Sequence, residues 1–258
     1  MDPGMRCENA SLRAPAVHAP PSPIEAANIN MNMLTFPSQV VLTSAACAAL
    51  ILSACGGGGG DAGTVASTLD FPLASAISTY ETSAHQFNLA GALDGVNYAA
   101  GYRLTPGSPG TFERKPASTA VQIVTLRANG VLRLESTFTN YFLASPYVFY
   151  GSVDPVDGAY SVFTQTANLP ATARVGQSGA LGSATDYADL RKIQITGTST
   201  LTWSLEADSA TTALFCLNTV LQGTPSFTGS ECYRVNANGV VSGLVLKVNV
   251  SGKTLILS

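Results

Sequence analysis

Short runs that alternate β-branched or aromatic residues with polar ones, separated by turn-forming pairs, constrain this chain more than any other feature. In Leu201-Thr202-Trp203-Ser204-Leu205 one face is Leu, Trp, Leu and the other Thr, Ser; in the run from Leu244 to Val250, Leu244, Leu246, Val248 and Val250 share a face. A period of two is the signature of a half-buried strand. Runs of this kind cover 119–127, 131–139, 141–150, 159–164, 190–196, 199–207, 211–218, 231–235, 240–250 and 254–257. One wet face on each strand argues for antiparallel pairing. The expected fold is therefore all-β, an antiparallel sandwich or barrel. Helix-like windows are confined to 71–85 and 183–190.

Turn chemistry separates the runs. Asn129-Gly130 lies between two of them, and both residue types tolerate the positive φ that a two-residue hairpin needs. Asn238-Gly239 repeats the pattern within a second Ala-Asn-Gly-Val, and Asp154-Pro155-Val156-Asp157-Gly158 bridges two aromatic runs. Phe87-Asn88-Leu89-Ala90-Gly91 and Ile193-Gln194-Ile195-Thr196-Gly197 each precede an Ala-Asn-Gly-Val by about 40 residues. A two-fold internal repeat is one reading of this recurrence. Chance recurrence of common hairpin chemistry is the other.

The amino-terminal region carries an address. Residues 40–54 are apolar apart from Thr43, Ser44 and Ser53, a stretch too short to span a bilayer comfortably and suited to a signal-peptide core. It closes on Leu52-Ser53-Ala54-Cys55 and opens into Gly56 to Gly60. This resembles the lipobox of bacterial lipoprotein signal peptides, which implies cleavage before Cys55 and acylation of its thiol. The string Leu52 to Gly60 is also similar to the starts of surface lipoproteins such as the transferrin-binding and factor-H-binding families. By analogy with enteric sorting, Gly56 after the lipidated Cys favours the outer membrane. No basic residue lies between Arg13 and Val40, so Met31 or Met33 is the expected start. The domain reading is 1–30 leader or misassigned start, 31–54 signal peptide, 55–68 Gly-rich tether and 69–258 β-rich domain.

Cysteine usage agrees with export. Of five cysteines, Cys7 and Cys47 fall in the part expected to be removed and Cys55 is the lipid attachment, leaving Cys216 and Cys232. A lone pair in an oxidising compartment is most simply a disulfide.

Charge excludes several classes. Of 16 acidic and 13 basic residues, three and two precede Cys55, which leaves 13 against 11 in the expected mature chain. With no basic patch, nucleic acid is a poor partner. No cofactor is expected, because neither a G-x-G-x-x-G nor a Walker motif occurs. The mature part holds a single histidine, His85, so a two-histidine metal site cannot be built, and no metal site is expected. No G-x-S-x-G occurs, and Gly176-Gln177-Ser178-Gly179 lacks the spacing of a nucleophile elbow. Asp154 and Asp157 read as a turn before they read as calcium ligands. Glu135 beside Arg133 reads as half of a cross-strand ion pair. No catalytic residue is assigned.

Aromatic density points instead to binding. Phe138, Tyr141, Phe142, Tyr147, Phe149, Tyr150, Tyr160 and Phe163 fall within 26 residues. Tyr141, Tyr150 and Tyr160 are the candidate binding patch, since tyrosine joins an apolar body to a polar tip. The expected function is a lipid-anchored envelope protein of binding or scaffolding type, periplasmic or surface-facing. Its partner would be an envelope protein, a glycan or a hydrophobic ligand. A carrier with a lipid or small hydrophobic ligand in a barrel cavity is the alternative, and a hydrolase the third.

Overall fold

Asn129 and Gly130, at φ 49° and 81°, return the chain in two residues, so that Ala128 pairs with Val131. The whole domain is built from this antiparallel step. The structure, a computed structural model, describes residues 66–222, 227–250 and 252–258. The signal region, Cys55 and the tether up to residue 65 lie outside the described residues, as does the stretch 223–226 between the two paired cysteines.

One helix precedes the strands: α1 (Leu73–Glu81). The strands are β1 (His85–Leu93), β2 (Val96–Pro106), β3 (Gly110–Phe112), β4 (Lys115–Ala128), β5 (Val131–Ala144), β6 (Tyr147–Val153) and β7 (Tyr160–Gln165). They continue as β8 (Ser178–Tyr187), β9 (Ile195–Ala207), β10 (Thr212–Gln222), β11 (Phe227–Asn236), β12 (Val241–Val250) and β13 (Lys253–Leu257). Each pairs with the next in an antiparallel meander, except that β2 bypasses β3 to pair with β4, and β3 pairs only with β4. The last strand returns beside the first. Reciprocal backbone hydrogen bonds of 3.1 Å between Ala90 and Ser258 nearly close the sheet into a barrel. Gly91 permits the approach: a Cβ there would stand 2.0 Å from the Ile256 carbonyl oxygen.

Alternation fills the interior. Leu89, Tyr102, Leu104, Val124, Phe142, Leu201, Leu205, Phe215 and Leu246 are buried in one core, while Arg103, Arg127, Arg133 and Glu135 point outward and are exposed. That polarity is opposite to an outer-membrane barrel, whose lipid-facing band is apolar. No helix among the described residues is long and apolar enough to cross a membrane.

Helix α1 stops one end of the barrel. Leu73, Ala76, Ile77 and Tyr80, at helical spacing, are each at most 1% exposed and join the core, while Ser75 and Thr79 face solvent. Phe71 just before it pairs through its backbone with Ala173, and the Ser78 hydroxyl donates to the Ala144 carbonyl at 2.6 Å. These contacts tie the helix to the turns that follow β5 and β7.

Several expectations need correction. The run 141–150 breaks at Ser145-Pro146, so 141–144 continue the run 131–139 as β5, which extends to Ala144, and only 147–150 belong to β6. Residues 190–194 form a loop with Leu190 and Ile193 exposed, and β9 begins only at Ile195. The helix-like window 183–190 is mostly strand β8, because its neighbours β7 and β9 supply the ladder that Ser, Ala and Thr would not specify alone. Both Asn-Gly turns are hairpin tips, but seven strand steps separate them along the antiparallel path. They therefore open at opposite ends of the barrel. A rotated copy of a meander superposes only after an even number of strands, so the recurrence is not a rotational duplication.

Candidate binding site

Two spaces in the molecule meet at one seam. Strands β6 and β7 pair only at Gly151–Val162, Ser152–Ser161 and Val153–Tyr160. Before Gly151, β6 stays on β5; after Val162, β7 stays on β8. Gly151 makes the bend: its φ is 148°, and a Cβ there would stand 2.0 Å from the Ser161 carbonyl oxygen and 2.6 Å from the Phe112 ring.

Outside the seam lies a groove lined by Phe112, Lys115, Val148, Tyr150, Val162 and Thr164, among others, with about 460 Å³ open to the centres of water-sized molecules. Strand β3 forms its side by laying Phe112 over Tyr141 and Tyr160, with ring centroids 4.9 and 5.1 Å away. Lys115 Nζ stands 5.2 Å from the centre of the Tyr150 ring. Tyr160 donates its hydroxyl to Glu113 Oε1 at 2.5 Å, and Lys192 Nζ binds the same carboxylate at 2.7 and 2.8 Å. The lysine, and then the tyrosine, hold the Glu113 carboxyl below its ordinary range. Tyr160 in turn is raised, by burial first and then by that carboxylate.

The structure thus brings Tyr141, Tyr150 and Tyr160 into one cluster on the outer wall, around Phe112. Tyr160 is buried there, whereas Tyr141 and Tyr150 are half-buried. Alternation along β6 places Tyr147 and Phe149 against the main core and Tyr150 in the outer cluster.

Inside the seam is a lumenal cavity, with about 40 Å³ open to the centres of water-sized molecules, lined by apolar Phe149, Phe163, Leu181, Leu201 and Leu217 and by polar Glu81, Gln122, Asn140, Tyr147, Glu231 and Tyr233. Roughly three waters fill such a volume. Asn140 donates to Gln122 Oε1 at 3.0 Å, and Tyr233 donates its hydroxyl to Glu231 Oε1 at 2.9 Å. Glu81 Oε2 is buried without a hydrogen-bond partner. Among the described residues no ion pair reaches Glu81 or Glu231.

Burial dominates the acid–base state of this cavity. It pushes Glu81 up to about 8, with the Glu231 charge adding to the effect. Glu231 is also raised by burial, against which the Tyr102 and Tyr233 hydroxyls stabilise its charged form. Glu231 and Tyr147 are half-buried and line the cavity. Tyr80, Tyr102, Tyr147 and Tyr233 are raised for the same reason. The Tyr80 hydroxyl lacks a well-formed hydrogen bond, although Tyr102 is near enough to favour its ionised form.

The remaining candidates sit elsewhere. His85 begins β1 and stacks on Tyr80 at 4.2 Å, its pKa lowered by burial. Its Nε2 has no hydrogen-bond partner among the described residues, so it meets no serine there. Asp154 Oδ1 accepts from the Val156 and Asp157 amides at 2.7 and 3.0 Å, which makes it a turn residue. Cys216 and Cys232, directly opposed on β10 and β11, form a disulfide of 2.12 Å on the outer wall. Glu206 is the third ligand-type group near those sulfurs, but thiols joined in a disulfide do not bind metal as thiolates.

Sequence reasoning missed Glu81 and Glu231 as cavity residues. A signal existed for the second: Glu231, Tyr233 and Val235 share one face of a run whose other members on that face are apolar. No family model matches the chain, and neither a curated protein nor a solved structure matches it.

Proposed function

We propose that this is a lipid-anchored binding protein of the bacterial envelope, held at the outer membrane through Cys55, which takes a small apolar molecule in the aromatic groove at the β6–β7 seam. The observation that carries the reading is the groove itself. Phe112, Val148, Tyr150 and Val162 line an open groove whose volume is in the range of small-molecule sites. It also lies where the barrel wall loses its ladder, so that a ligand displaces no strand pairing. The lumen as it stands is too small to hold a hydrocarbon body, which favours the groove over a central carrier cavity.

The test uses N-phenyl-1-naphthylamine, a dye that brightens in apolar surroundings. Saturable binding that weakens about tenfold in Tyr150→Ala and in Phe112→Ala is expected. Dye binding indifferent to both substitutions would leave a scaffold as the better reading. The anchor is tested separately: Cys55→Ala should abolish incorporation of labelled fatty acid.

A further inference from the structure

The groove and the lumen share three lining residues, Phe149, Phe163 and Gln165. The two phenylalanine rings lie 5.8 Å apart at 53° and fill the place where β6 and β7 no longer hydrogen-bond to each other. They are the partition between a large space outside and a small, mostly apolar one inside whose polar groups include the carboxyls of Glu81 and Glu231. Side chains, and no backbone ladder, separate the two.

We infer that groove and lumen form one binding site through this partition, and that its ligand is a primary amine on a ring or short aliphatic body, with the ammonium seated at Glu81 and Glu231. The inference rests on the groove being the ligand site. Size divides the ligand between the two spaces: the hydrocarbon fits the groove, whereas the lumen, with room for roughly three waters, admits only a small head group. An ammonium is such a group.

Charge and hydrogen bonding select that group over others. Glu81 lines the lumen and is 6% exposed, and its Oε2 is buried with no donor. Glu231 receives Tyr233, yet no cation reaches it or Glu81 among the described residues. Burial keeps the two carboxyls from ionising without a counter-charge, and an ammonium brings both that charge and three N–H donors. A neutral hydroxyl of the same size supplies one hydrogen bond and no charge. A carboxylate brings a like charge to a lumen that already opposes ionisation of its own carboxyls. Gln122 and Tyr147 line the same space, and their side-chain oxygens are acceptors suited to a cationic donor.

The experiment compares three molecules of one shape on the full chain by titration calorimetry: 2-phenylethylamine, 2-phenylethanol and 3-phenylpropionate. The amine should bind at least tenfold more tightly than the alcohol, and the carboxylate most weakly. Glu81→Gln and Glu231→Gln should each cost the amine about tenfold and leave the alcohol within twofold. Equal affinities for amine and alcohol in the unaltered chain overturn the inference, and that comparison needs no variant to fold. If all three bind alike and Tyr150→Ala weakens all of them, the groove reading stands without the amine. If none binds, the groove reading falls, and this inference with it.

Discussion

The wall formed by β9 to β12 and the wall at β6 and β7 are built from the same antiparallel step, yet they are held together to very different extents. The β9–β10 and β10–β11 ladders run for ten residue pairs each, whereas β6–β7 runs for three. The first wall also carries the Cys216–Cys232 disulfide, packed under Val245 and Leu214, and the Arg234–Asp208 ion pair at 2.9 Å. In the second wall, aromatic side chains stand where backbone hydrogen bonds would. A barrel can leave one seam to side chains only if the rest of its wall is rigid, and a binding site placed at that seam opens at little structural cost.

The sharpest way to break this contrast is to remove the rigid wall's covalent link. Cys216→Ser together with Cys232→Ser should lower stability by about 3 kcal/mol, the chain-entropy value for a loop of this length, in denaturant unfolding. Dye binding at the groove should survive under native conditions. Loss of binding in the folded double variant would show that the two walls act as one unit.

A smaller effect is expected at the seam. Gly151→Ala places a methyl group against the Ser161 carbonyl and the Phe112 ring at a φ of 148°, a conformation that L-residues rarely adopt. About 2 kcal/mol of stability should go, the scale of a strained backbone position. Dye affinity should fall with it, because Phe112 must move. A variant as stable as the parent, with the groove intact, would mean that the seam does not depend on this bend.

How far each wall was legible in the sequence follows from the same contrast. Strands β4, β9, β10 and β12 announce themselves because Val, Ile, Leu and aromatic residues alternate with polar ones where a long ladder buries one face. Strands β1, β2 and β8 are rich in Gly, Ala and Asn, residues with little strand preference of their own, and only their neighbours make them strands. The Asp94-Gly95 turn between β1 and β2, at φ 51° and 78°, was readable hairpin chemistry that weak flanking runs concealed. The disulfide was legible because elimination left one pair of cysteines. The choice of barrel over sandwich was not, since closure depends on the contact of Ala90 in the first strand with Ser258 just after the last. The tyrosine cluster was legible as a density of aromatics. That Phe112 covers it, and that Glu81 from a helix meets Glu231 from β11, depends on long-range placement with no local period.

The smallest effect is the most specific to the cavity. A buried carboxyl whose pKa is raised in the fold binds a proton that the unfolded chain has already released. For Glu81 the interval runs from 4.5 to about 8. Its favourable contribution is therefore fully present below 4.5 and is lost as pH rises through about 8, with a slope of at most ~1.4 kcal/mol per pH unit. Glu231 acts in the same direction. His85, lowered by burial, acts oppositely: it favours the fold above its ordinary value and loses that contribution on acidification. The raised tyrosines of the lumen matter only at alkaline pH. Replacing Glu81 with Gln removes the titration but leaves a buried amide that also lacks a partner, so the gain is smaller than the shift alone implies. An increase of about 1 kcal/mol at pH 7.5 is expected, with no gain at pH 4. Unfolding curves at the two pH values check it. Equal effects at both would mean that Glu81 is already hydrated and charged in the folded chain, and that the lumen is open to water in a way the β9–β12 wall is not.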